Sequence, residues 1–153
     1  MVAETFPGTR RARVKSLLGG VINQRFDRAD GGPGGWWIIN DSELHLGDDV
    51  LIPAIAGWRR ERMPVFPEAH YFDVTPDWVC DIVATGFISR IKWPRYAQLG
   101  IPYGWLLDLS ARGVECYRLE GAYWLCSSAY EDCVCAEPFE ACTLALSDLW
   151  LEE

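Results

Sequence analysis

The stretch Trp78-Val79-Cys80-Asp81-Ile82-Val83-Ala84 decides the fold. It is almost continuously apolar, as a strand is when both faces of its sheet are covered, and it predicts a central strand in a layered domain. One residue interrupts it. Alternation puts Asp81 on the face of Val79 and Val83, so its carboxylate enters an apolar layer. A buried charge without a partner is too costly to persist, which predicts a cation or strong hydrogen-bond donors around Asp81. That environment fits a metal-binding or active-site acid, and equally a structural acid that holds a loop through backbone amides or one basic side chain.

A helix follows. Ser89 can cap it, Pro94 suits only its first turn, and Gly100 ends it after Leu99. Lys92 falls in the first turn, and helical side chains lean toward the N-terminus, so its ammonium can reach back to Asp81. Lys15 and Lys92 are the chain's lysines; its other basic residues are arginines, so an ammonium at 92 is a distinct choice. A solvated surface lysine is the alternative.

Upstream, Arg10 to Val21 carries an apolar helical stripe of Ala12, Val14, Leu17, Leu18 and Val21, with Thr9 as the candidate N-cap and Gly19-Gly20 weakening the C-terminal end. Gly31 to Gly35 is a loop. Trp36 to Ile39 and the apolar strand Val50 to Ala56 form the arms of a hairpin turned by Gly47-Asp48-Asp49, with Ile52, Ala54 and Ala56 sharing one face. Downstream, Tyr103 to Leu109, Val114 to Leu119 and Ala122 to Ser127 read as strands, with turns at Gly113 and Glu120-Gly121 and a short element near Cys142 to Leu146. The order predicts an α/β (mixed α+β) domain, a mixed sheet flanked by helices, over residues 1–153.

At 153 residues and 50% hydrophobic the chain can bury a core without staples. No apolar run is long enough to span a bilayer and no secretion signal opens the sequence, so the expected compartment is the cytoplasm. The six cysteines are then expected to be ordinary buried thiols; Cys133 and Cys135 are the only close pair, and their spacing is poor for zinc. The net charge of −8 lies wholly in residues 105–153, so nucleic-acid contact, if any, belongs to the first two thirds. Two basic clusters stand there, Arg10, Arg11, Arg13 and Lys15, then Arg59, Arg60 and Arg62, each also readable as solvated charge.

Taken together, ELHLGDDVLIPAIAGWRRERMP, TPDWVCDIVATGFISRIKWPRYAQLGIPYGWLLD, VECYRLEGAYW and AEPFEACTLALSDLW resemble the Uma-type restriction endonucleases of the PD-(D/E)XK superfamily, over about Gly31 to Leu151. The resemblance implies a restriction-endonuclease-like core and metal-dependent hydrolysis of phosphodiesters. Two carboxylates hold Mg²⁺ or Mn²⁺, and a lysine orients or deprotonates the attacking water. The family's second acid falls on Asp81, and its lysine, four residues before a Tyr-Ala pair, falls on Lys92 before Tyr96-Ala97.

Two positions depart from that pattern. The first acid falls on Ala54, and a methyl group cannot ligate a hard cation. The loop ATGFISRI is also shorter than the Ser-Pro-Ser-like loop of the family. Glu43, acidic in many relatives, is the candidate replacement ligand beside Asp81, with His45 on the same strand face; a surface polar pair is the alternative. The implied protein is therefore a weakened or inactive metal-dependent endonuclease acting on DNA. Its rival is a non-catalytic relative serving as a dimerising or nucleic-acid-binding module. A homodimer is expected from the family and from a Trp-rich surface.

Overall fold

The computed structural model describes residues 8–83 and 92–150. In chain order the elements are α1 (Thr9–Ile22), extended by a π-helical turn (Asn23–Asp27), β1 (Trp36–Asn40), β2 (Leu44–Leu46), β3 (Asp49–Leu51), β4 (Ile55–Arg59) and β5 (Trp78–Val83). Then come α2 (Lys92–Gln98), β6 (Tyr103–Asp108), β7 (Gly113–Glu120), β8 (Tyr123–Tyr130), β9 (Cys133–Val134), β10 (Leu144–Ala145) and a final 3-10 turn (Ser147–Leu149).

Six strands form one mixed sheet in the order β1-β4-β5-β6-β7-β8. β5 lies inside it, antiparallel to β4 and parallel to β6, with every residue buried. The parallel step from β5 to β6 requires a crossover, and α2 lies in that connection. Alternation along β5 divides the core. Trp78, Cys80 and Ile82 face the α1 layer with Val14, Leu18 and Ile22, whereas Val79 and Val83 face the α2 layer with Trp93 and Tyr96. Gly104 makes the second layer possible, because a Cβ there would stand 2.8 Å from the Trp93 ring.

Several expectations need correction. Thr9 is the first helical residue, and Gly8 precedes it without a side-chain cap. The helix runs through Gly19-Gly20 to Ile22, and at Gly19 it meets the Asn40 side chain so closely that no Cβ would fit. The apolar run Val50 to Ala56 is not one strand. It breaks at Ile52-Pro53-Ala54, since Pro53 has no N–H for a ladder and fixes φ. Ile52 is exposed, Ala56 joins the α2 layer and Ala54 the α1 layer, so the three do not share a face. The hairpin itself stands, with β1 pairing β4 and the small β2–β3 hairpin at its tip.

The turn before β7 takes its left-handed residue from Arg112 (φ 53), and Gly113 is already in the strand. Trp58, Trp78, Trp93 and Trp105 are fully buried, which removes the Trp-rich surface invoked for a dimer. Of the thiols only Cys80 and Cys116 are buried; Cys126, Cys133 and Cys135 are exposed. Ser89 and Ala84 lie outside the described residues. No helix among the described residues is long and apolar enough to cross a membrane.

Candidate active site

Asp81 is only 6% exposed, and its two oxygens are held by three donors, two from α2 and one from the break before β4. Lys92 Nζ lies 3.0 Å from Oδ1, and the Ala54 backbone N–H donates to the same oxygen at 3.3 Å. The Tyr96 hydroxyl donates to Oδ2 at 3.1 Å. Lys92 Nζ also donates to the Ile52 carbonyl at 2.9 Å, which ties α2 to the break in the β3–β4 arm.

Local structure explains each contact. The β4–β5 ladder pairs Ile55 with Cys80 and stops, so the next amide, that of Ala54, has no strand partner. The Asp81 carboxylate supplies the missing acceptor, while the Ala54 carbonyl accepts from Asp41 N at 3.0 Å. Lys92 and Tyr96 are four residues apart on α2 and therefore lie on one helix face, above the β5 residue that points toward it. Tyr96 had no assigned role in the sequence reading beyond its place in the Tyr-Ala pair. The i, i+4 spacing from Lys92 was the available signal.

Glu43 is elsewhere. Its Oε1 lies 2.7 Å from His45 Nε2 on the exposed side of the β2–β3 hairpin, and the His45 ring stacks on Tyr71 with centroids 4.2 Å apart. Leu44 and Leu46 take the buried face of β2, which turns Glu43 and His45 outward. The structure thus brings Asp81, Lys92, Tyr96 and the Ala54 amide together, and it gives Glu43 a different partner. Asp77, the acid of Pro76-Asp77-Trp78, is also buried but pins the start of β5. It accepts from Arg59 N at 2.8 Å and pairs with Arg62 at 2.8 Å. Much of the second basic cluster is structural in the same way, since Arg60 pairs with Asp27 and stacks over Trp37.

On the opposite face of β5, burial above all raises the Cys80 thiol well above its ordinary value, with the Asp81 charge adding to the effect. Arg11, from α1, partly opposes this, and its own Nε is buried without a hydrogen-bond partner among the described residues.

A divalent cation does not fit this donor set. Among the described residues no group of three or more His, Cys, Asp or Glu side chains could hold a metal ion. Asp81 contributes one carboxylate, already occupied by an ammonium and two further donors, and residue 54 contributes a methyl group. Mg²⁺ prefers six oxygen ligands at about 2.0–2.1 Å, and here it would also meet the Lys92 charge on the same oxygen.

The six-stranded mixed sheet with helices against it is a restriction-endonuclease-like fold. The chain belongs to the Uma2 family, described as "Putative restriction endonuclease", whose pattern matches residues 2–147. Its fold is similar to the crystal structure of a putative nuclease belonging to DUF820 from Anabaena variabilis. The TM-score is 0.74 at 20% identity, covering 97% of this chain and 84% of that one. No curated protein matches the sequence.

Proposed function

We propose that this chain is a weakened or inactive member of a metal-dependent endonuclease family, one that keeps the acid–lysine pair and lacks the second carboxylate. The observation that carries the reading is the contact between the Ala54 N–H and Asp81 Oδ1 at 3.3 Å. Position 54 is where the resemblance requires the partner acid, and its backbone does lie beside Asp81, but it brings no ligand.

What remains is a compensated ion pair. Asp81 is desolvated and fixes Lys92, whose side chain is 20% exposed and keeps a cation beside the acid. That supports retained binding of DNA phosphate more than cleavage, because an acid saturated with donors has little capacity left to organise a hydrolytic water. Supercoiled plasmid incubated with Mg²⁺ or Mn²⁺ tests this. The parent is expected to cleave no faster than Asp81→Asn. Robust nicking by the parent that Asp81→Asn abolishes would overturn the reading.

A further inference from the structure

The two edges of the six-stranded sheet are finished differently. At β1 the π-helical turn stands in for a further strand: Asn23 donates to the Ile38 carbonyl at 3.0 Å, and the Asp27 carboxylate accepts from the Ile38 N–H at 2.8 Å. β8 forms the other edge, and among the described residues its backbone pairs with no main chain but that of β7. An open edge recruits a strand from another chain unless charge, proline or a bulge blunts it.

Gly121 to Tyr130 contains no charged residue and no proline, although residues 105–153 hold the whole net charge of −8. A bulge does occur. The ladder passes from Tyr117 with Cys126 to Cys116 with Ser128, which leaves Ser127 as an extra residue. It blunts only the second half of the strand, where the Tyr130 hydroxyl also donates to the Cys135 carbonyl at 3.1 Å. Tyr123 to Cys126 is the open part. That half is fixed from within, since the Trp124 indole donates to the Trp93 carbonyl at 2.9 Å and the two rings pack 5.2 Å apart. Alternation sends Tyr123 and Leu125 to the other face, where they are 80% and 49% exposed.

We infer that β8 pairs with β8 of a second copy of this chain, antiparallel about a two-fold axis at Trp124. Such an axis sets Tyr123 of each copy opposite Leu125 of the other, so these exposed apolar side chains cover one another twice. An antiparallel strand on a two-fold axis complements its own hydrogen-bonding edge, and no foreign sequence is needed. Charge favours the same occupant: copies that each carry −8 repel over most of their surfaces and approach most easily where neither strand is charged. The inference does not depend on the state of the Asp81 site.

Sedimentation equilibrium of the full chain across the micromolar range is the test, together with amide hydrogen exchange of Tyr123 to Cys126. The mass should approach twice the 17.3 kDa of one chain as concentration rises, and those amides should gain protection in step. Leu125→Lys and Tyr123→Lys change exposed side chains, so both should keep the parent's circular dichroism spectrum. Each should raise the dimer dissociation constant at least about tenfold, because the axis repeats every loss. Val65→Lys changes a residue that is 78% exposed in the β4–β5 connection and should leave the dimer intact. A chain that stays monomeric throughout would leave the edge to an extended segment of a different protein and overturn the inference. A dimer that both β8 variants preserve, or that Val65→Lys dissociates, would place the contact elsewhere and overturn it as well.

Discussion

Replacing Lys92 with methionine should cost more stability than a surface lysine ever does. The substitution keeps the apolar stem and removes the ammonium 3.0 Å from a carboxylate that is 6% exposed. Removing one partner of a fully buried pair costs about 3–5 kcal/mol. Because the Lys92 side chain is 20% exposed, water can replace part of what is lost, and about 2–4 kcal/mol is the expected figure. Asp81→Asn should cost less, about 1–3 kcal/mol, since it leaves no buried charge and the ammonium retains the Ile52 carbonyl. In the double variant Lys92→Met with Asp81→Asn the stranded carboxylate is gone, so it should be more stable than additivity allows by about 2 kcal/mol. Urea unfolding followed by tryptophan fluorescence, with linear extrapolation, measures all four proteins. A loss below about 1 kcal/mol for Lys92→Met, with an additive double variant, would show that the pair is no more than a surface salt bridge.

Three further outcomes follow from the same geometry. Tyr96→Phe removes the donor to Asp81 Oδ2 and should cost about 1.5–3 kcal/mol in urea, as for a bond to a charged group; an unchanged midpoint would mean that the hydroxyl does not serve the acid. Burial pushes the Cys116 thiol from 9.0 up to about 12, so above pH 9 the unfolded chain binds fewer protons than the folded one. Stability should then fall by about 1.4 kcal/mol per pH unit for this thiol as pH rises toward its folded value, and Cys116→Ala should flatten the alkaline limb; an unaltered limb would contradict it. Ala54→Asp puts a carboxylate into the α1 layer, away from Asp81, so it should be destabilised by the buried charge and should gain no more Tm than the parent from millimolar Mg²⁺ or Mn²⁺. A larger metal response in Ala54→Asp than in the parent would mean that the two side chains do share a site.

The legible parts of the site were those governed by a strong local pattern. A single acid in an otherwise apolar strand forces a buried, compensated carboxylate, and a lysine in the first turn of the next helix leans toward it; Asp81 and Lys92 meet as that reasoning requires. Where a proline intervenes, strand parity is lost. Pro53 breaks the arm that looked continuous, so the Ala54 methyl turns to the α1 layer while its amide turns to Asp81. Glu43 was misjudged for a simpler reason. Glu43-Leu44-His45-Leu46 alternates, the leucines claim the buried side, and the acid must face solvent. The positions of the tryptophans were not legible from their number, because Trp58, Trp78, Trp93 and Trp105 fill both core layers of a small domain.

Metal binding to the unmodified chain is the most direct measurement of all. Titration calorimetry with Mn²⁺ and with Mg²⁺, on the parent and on Asp81→Asn in parallel, asks whether the saturated Asp81 carboxylate still takes a dication. The expected result is no saturable binding that distinguishes the two proteins. Stoichiometric binding to the parent that Asp81→Asn removes would contradict the loss of the metal centre.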